Sequence, residues 1–458
     1  MTDRRLLSAL LFVLDFLCVV LVFNVIGWLR GVMIFGDITV VPLLGPFAVF
    51  FLAVHLIDGY SVRTDMRSVS YVSQHLIALM AALLVILLIT FVFIKDQYSL
   101  QSSRAVIALS FVALAPLTLS YRRQLMALVL RERRQRRIVF VGSQASCVEF
   151  REMCAENATP QEALYVAVDA RSDESFSPLI GLEMHALSEL PSLLGAYAGR
   201  VEAIVLHQTS RDLPFAVSEK LMELHFSGVR TYTLELFHEV YWRKIPLYSL
   251  DQTWLFQEGF QTARDPVFER LKRLSDIGLA LLGLVVTSPV LLLCAAAIWL
   301  GDRGPVFFVQ TRVGKNRMPF QIYKFRTMRA SPAKEDLYTQ PADSRITGVG
   351  RLLRAVRCDE LPQLWNVLRG DMSLIGPRAE WVKLVERYEK EIPCYHFRHL
   401  VKPGITGWAQ VNYPYGANLG DTLRKLEYDL YYIRYFSFVL DASIVLKTIQ
   451  IMLFGKGR

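Results

Sequence analysis

Histidine and cysteine are scarce in this chain, at eight and six of 458 residues. The cysteines (Cys18, Cys147, Cys154, Cys294, Cys358, Cys394) form no Cys-x-x-Cys pair, and no histidine stands at metal-ligand spacing. That excludes a zinc site and a disulfide scaffold and fits reduced thiols facing a cytosol. No cleavable signal peptide is expected either, because the first apolar stretch is long and lacks a small-residue cleavage site, so it reads as an anchor. Acidic residues are outnumbered by basic ones, 42 against 51, for a net charge of +9. An anionic partner is implied: nucleic acid, acidic phospholipid or a phosphorylated small molecule.

Apolar residues are abundant, at 53% with a mean hydropathy of +0.32, too apolar for an ordinary soluble chain. Four segments, Leu6–Leu29, Ile38–Ile57, Leu76–Ile94 and Ala105–Met126, are each close to the roughly 20 residues a helix needs to cross a bilayer. Arg4 and Arg5 precede the first, Arg63 and Arg67 separate the second and third, and a run from Arg122 to Arg137 follows the fourth. The intervening loops carry only Arg30, and Lys95 with Arg104, so both ends of the bundle are expected on the cytoplasmic side. The arginines at 131–137 are read as meeting anionic lipid headgroups rather than nucleic acid. Asp15 and His55 lie inside spans, where ionisable groups are functional candidates; a polar contact between helices is the favoured reading.

From Arg137 the pattern alternates. Strand-like runs at Ile138–Val141, Leu164–Val168, Ala203–Leu206 and Val229–Thr233, separated by helical stretches, predict a Rossmann-like parallel α/β module over residues 137–262. Its first turn, at Gly142, has one glycine where a dinucleotide fingerprint has three, and no convincing ribose-binding acid follows. A structural or oligomerising role, including a homodimer, is therefore expected of it.

A third unit occupies residues 263–458. Its apolar run Ile277–Leu300 is long enough to span, but Pro289 removes the backbone bond to Val285 and positive charge flanks both ends. A helix that breaks at Ser288-Pro289 and returns to the same leaflet face is expected, with Ser288 satisfying a freed carbonyl. A kinked fifth span is the alternative. The tail after Tyr428, aromatic and then a short apolar helix with Asp441 and Lys447, is expected to lie along the membrane surface.

The chemistry-bearing residues follow Gly301. Basic residues are dense up to Arg357, and the acids Asp359 and Glu360 then stand a short way before Arg378 in a Gly-Pro-Arg turn. A carboxylate pair facing a guanidinium is suited to holding a metal ion and a phosphate together. Taken in order, Ser288-Pro289, GPVFFVQTRVGKNRMPFQIYKFRTM (304–328), RCDELPQLWNVLRGDMSLIGPR (357–378), KPGITGWAQVN (402–412) and YDLYYIRYFSFVLDASIVLKTI (428–449) closely resemble the bacterial sugar transferase family, the monotopic phosphoglycosyl transferases. The resemblance covers essentially all of 265–458, and the upstream part resembles the family's large form.

It implies a membrane protein: a four-helix transmembrane bundle (1–136), the Rossmann-like module, and a monotopic α/β catalytic domain with a re-entrant helix over 277–300. It further implies transfer of a hexose-1-phosphate from a UDP-sugar, glucose first, to undecaprenyl phosphate at the cytoplasmic face of the bacterial inner membrane. This would begin exopolysaccharide, capsule or O-antigen synthesis. Asp359 would be the nucleophile of a ping-pong reaction, and Glu360 with Asp359 would hold Mg²⁺. Arg378, Lys324 and Arg326 would bind phosphate, with Asp441 or the competing Asp429 contributing near the C-terminus. Three departures stand out: Ala379 where the family often has proline, Cys358 before the nucleophile, and Asn412–Ala417 in a loop that bears on sugar choice. A non-catalytic membrane scaffold or ligand sensor is the alternative from another class, and a fully polytopic transferase is a third reading.

Overall fold

A computed structural model describes residues 4–454 except 62–63, 65, 94–102, 134–135, 158, 160, 170–182, 198–199, 208–214, 227, 248–265, 330–344 and 414–417. Two compact units form: one of Met1–Phe51, Asp58–Val72 and Ala82–Ser249, the other of Leu52–Ile57, Ser73–Ala81 and Leu250–Arg458.

The first unit opens with helices α1 (Arg4–Leu29), α2 (Leu44–Leu56, whose end belongs to the second unit), α3 (Val69–Phe93) and α4 (Arg104–Arg133). Stretches of α1, α3 and α4 are long and apolar enough to cross a membrane: Leu6–Leu29, Val69–Phe93 and Arg104–Leu128. The expected span Ile38–Ile57 is not realised as one helix. Pro42 starts a single 3₁₀ turn, Val41–Leu43, and α2 then runs for 13 residues, roughly 20 Å, short of the ~30 Å hydrocarbon core. Asp15 is fully buried and meets the equally buried Arg122 at 2.5 Å, with Tyr60 at 2.5 Å and Tyr121 alongside. It is thus the polar contact between α1 and α4, and His55 is exposed at the end of α2.

The α/β part follows as β1 (Arg137–Gly142), α5 (Gln144–Glu156), β2 (Glu162–Ala167), β3 (Met184–Ala186), α6 (Leu190–Ala196), β4 (Val201–Leu206), α7 (Phe215–Phe226), β5 (Arg230–Thr233) and α8 (Leu234–Phe237). The five strands are all parallel in the order β3-β2-β1-β4-β5, the doubly wound arrangement. Alternation sorts the β1 side chains: Val139 and Val141 join Leu164, Ile204 and Leu190 on one face, Ile138 and Phe140 join Phe150, Val205 and Phe237 on the other. Sequence periodicity located every strand except the three-residue β3.

The second unit begins with α9 (Pro266–Asp302), then the hairpin β6 (Phe307–Val313) and β7 (Pro319–Phe325), α10 (Gly348–Ala355), α11 (Gln363–Arg369), β8 (Ser373–Ile375), α12 (Val382–Glu391), β9 (Gly404–Thr406), α13 (Trp408–Asn412), α14 (Leu419–Arg434) and α15 (Phe438–Phe454). Here the expectation of a break is corrected: α9 is one helix of 37 residues through Pro289. The reason is visible at the proline, where the Ser288 hydroxyl donates to the Val285 carbonyl at 2.8 Å, supplying the bond that the missing N–H cannot. Pro266–Gly301 is the fourth stretch long and apolar enough to cross a membrane. The tail helix α15 is bonded within its unit, through Ser443 to the Leu56 carbonyl and Gln450 to Ser73.

Candidate active site

Asp359 and Glu360 lie not on an α-helix but on the 3₁₀ turn Cys358–Glu360, entered through Arg357 in the left-handed region at φ 58°. A non-glycine residue there is strained backbone of the kind that gathers at working sites. The turn leads directly into α11, and α11 is fixed to the hairpin by Asn366. This fully buried amide donates to the Gln321 carbonyl (2.6 Å) and accepts from the Tyr323 N–H (3.1 Å), standing in for a neighbouring strand along β7. Lys324 shares a strand face with Ile322, two residues apart, and that face looks toward the core that also takes in Leu364 and Val367. The result is an ion pair between Lys324 Nζ and Glu360 Oε1 at 2.7 Å.

Arg378 arrives from the other side. Its turn is clamped between β8 and β9: Gly376 N–H donates to the Thr406 carbonyl and Gly404 N–H to the Pro377 carbonyl, both at 2.9 Å. A side chain at Gly376 would drive into the Lys402 carbonyl, so this close approach requires glycine. Arg378 Nη2 then reaches Glu360 Oε1 at 3.3 Å. Ala379 is buried and its carbonyl accepts from Arg312 Nη1 at 3.1 Å.

These placements separate the two acids. Burial pushes Glu360 up, but Arg378 and Lys324 outweigh it and hold the carboxyl at about 2. Asp359 is raised above its ordinary value, first by burial and then by the adjacent Glu360 charge, and it makes no ion pair among the described residues. Lys324 is lowered by burial and by Arg378. The Cys358 thiol is raised by burial and by Asp359, which keeps it from being a ready thiolate.

The other sequence candidates lie elsewhere. The Arg326 guanidinium rests against Gly304. Asp429 is buried in a two-point pair with Arg398, at 2.8 and 3.1 Å, and Arg398 in turn donates to the Arg378 carbonyl at 2.9 Å. Asp441 pairs with Lys272 at 2.5 Å and accepts from Tyr432, whose hydroxyl also lies 3.2 Å from the Ile375 carbonyl. Both acids therefore reach the site through the backbone of residues 375–378. Sequence reasoning missed Asn366, Arg398, Arg312 and Arg354; Arg354 lowers Asp359 electrostatically and is held by Thr327 at 2.9 Å. The loop 414–417 lies outside the described residues.

No cluster of three metal-binding side chains occurs among the described residues. Asp359 and Glu360 still suit Mg²⁺, which is commonly held by one or two carboxylates together with substrate phosphates. Both cation contacts of Glu360 fall on Oε1, leaving its second oxygen outside them.

Known proteins match this region. The family model described as bacterial sugar transferase fits residues 267–455. The UDP-N-acetylgalactosamine-undecaprenyl-phosphate N-acetylgalactosaminephosphotransferase of Aeromonas hydrophila is 48% identical over 193 residues, 42% of this chain and 46% of that protein. The UDP-glucose:undecaprenyl-phosphate glucose-1-phosphate transferase of Escherichia coli is 45% identical over 196 residues, 42% of each chain. These two matches thus span less than half of either relative. The Klebsiella pneumoniae protein of the same glucose-1-phosphate transferase name is 33% identical over 329 residues, 69% of this chain and 67% of the relative. A motif-bearing region matched at nearly half identity, with a similarity reaching well upstream of it, shows that this chain belongs to the bacterial sugar transferase family.

Proposed function

We propose that the protein transfers a hexose-1-phosphate from a UDP-sugar to undecaprenyl phosphate, releasing UMP. The observation that carries this is the split between the two acids: Glu360 is tied to Lys324 and Arg378, while Asp359 beside it makes no ion pair among the described residues. Asp359 attacks the sugar-proximal phosphorus, forming a carboxyl–phosphorus bond as the bridging phosphorus–oxygen bond breaks and UMP leaves with the electron pair. An oxygen of undecaprenyl phosphate then attacks the same phosphorus and releases the Asp359 carboxylate. Covalent carriage lets a water-soluble donor and a lipid acceptor react in turn rather than together. Arg378 and Lys324 hold Glu360 and lie where phosphate charge gathers. Asp359 and Glu360 would hold Mg²⁺, which would supply charge neutralisation of the diphosphate.

UDP-glucose is the first candidate donor, since two of the three relatives above are named for glucose, and an N-acetylated hexose is the competing one. A panel of UDP-sugars with undecaprenyl phosphate, read by UMP release and product analysis, tests this. UMP appearing from a UDP-sugar alone, with an Asp359 adduct in the 357–362 peptide, is the expected result. A strict requirement for both substrates together removes the two-step mechanism, and no UMP from any donor favours a scaffold or sensor.

Both ends of α9 on the cytoplasmic face of the bacterial inner membrane, the helix kinked at Pro289 but not interrupted, belong to the same proposal, supported by basic residues on both sides of its apolar stretch. Cysteine labelling on either side of 277–300 tests it; labels on opposite faces refute it, and Pro289→Ala is expected to favour a straight span. A homodimer built through residues 137–262, and headgroup binding by the arginines at 131–137, belong to the same proposal.

A further inference from the structure

A small, partly open cleft lies beside the carboxylate turn, lined by Arg312, Lys324, Gln363 and Arg378 with apolar Ile322 and Met372. Three of its walls are cationic. Lys324 and Arg378 share a single carboxylate oxygen, and Arg312 has a carboxylate only at 3.7 Å, on Glu380. Gln363 is 3% exposed, yet its Nε2 has no hydrogen-bond partner among the described residues, and the buried Nε of Arg312 has none either. Buried donors are seldom left unmet, so two of them in one cation-walled cleft indicate that an acceptor belongs there. Burial and like-charge crowding lower Arg312 and Lys324, which an anion would relieve.

The cleft also has an order. Asp359 is not among its walls, whereas Lys324 and Arg378 reach out of it to Glu360. The anion it seats is therefore adjacent to the group being attacked and distinct from it.

Resting on the proposed function, we propose that Gln363 Nε2 and Arg312 Nε donate to the nucleoside-proximal phosphate of the donor, the phosphate that departs as UMP. Gln363 is thus a substrate-binding residue acting on the leaving nucleotide. The amide at this position reads an oxygen acceptor without adding charge beside Glu360, so a carboxylate there would repel the same phosphate.

UMP is the probe. On the full-length protein in detergent, UMP binding is measured by calorimetry without turnover, and UMP inhibition and UDP-sugar KM are measured with it. Gln363→Met, of similar volume, is expected to weaken UMP by about tenfold, as for one hydrogen bond to a charged group. Gln363→Glu is expected to weaken it further, with KM rising in step and kcat within about threefold for Met, as for lost uniform binding. Melting temperatures report whether each variant folds; the calorimetric comparison uses those that do, and both are side-chain replacements of similar size. UMP affinity within twofold of the parent in either folded variant overturns the inference. If the parent releases no UMP from any donor but binds UMP through Gln363, the cleft assignment stands and the transferase reading falls.

Discussion

In the parallel sheet of residues 137–233, apolar side chains fill both faces, and its buried Glu202 is met by Gln161 at 2.9 Å. Its first turn closes on itself, with Ser143 accepting from the Ser146 N–H. The region from Pro266 onward is built differently. Its described sheets are two strands each, and buried ion pairs hold the pieces together. Within that region the pairs are again of two kinds. Arg398–Asp429 and Lys272–Asp441 match one cation to one acid and brace backbone carbonyls. Around Glu360 the cations outnumber the acid that binds them. Matched buried charge fixes geometry, whereas two cations converging on one carboxylate oxygen mark a place suited to receive a ligand's charge.

Several experiments would break that distinction. Asp359→Asn should abolish turnover, by roughly 10⁴-fold or more, with an unchanged melting temperature. Near-normal rates would remove the covalent step. Because Asp359 is raised above its ordinary 3.8, the pH–rate profile of the parent should fall on the acid side at a pH above that value. Glu360→Gln should lose about 10²–10³-fold, as for removal of one preorganised charge. Glu360 has a depressed value of about 2 against an ordinary 4.5, so its stabilising contribution is fully present above 4.5 and fades as pH falls toward 2. The stability gap between parent and Glu360→Gln should close over that window.

Asp429→Asn should act on stability first. It leaves Arg398 buried without its counter-charge, at about 3–5 kcal/mol by denaturant unfolding. A variant as stable as the parent would show that the pair is not structural. The smallest effect is expected in the parallel sheet: Ser143→Ala removes a helix cap, about 1 kcal/mol, with UMP release within twofold. A large loss of activity there would give the turn after β1 a role that its closed geometry does not suggest.

Much of this was legible along the chain. Three of the long apolar helices follow from run length, and four strands follow from alternation, because those periodicities are local. The motif order placed Asp359, Glu360, Lys324 and Arg378 together, and the structure brings Lys324 and Arg378 onto Glu360. Asp429 and Asp441 could not be told apart in sequence, since each sits in an aromatic, apolar stretch with nothing local to reveal its partner. Asn366 left no signal either, because an asparagine in a short helix looks like any polar position until a strand edge is laid beside it.

What the sequence determined by itself is therefore what depends on neighbours in the chain: membrane-length helices, strand faces, and a carboxylate pair set among basic residues and turns. Tertiary structure decided what depends on distance. It carried α9 unbroken past Pro289 and stopped α2 short of a full span. It gave Asp441 to Lys272 across 169 residues, and left Gln363 and Arg312 with donors unmet among the described residues. The physical reason is that helix and strand propensities act over a few residues, whereas a buried charge is satisfied by whichever opposite charge the fold brings within reach.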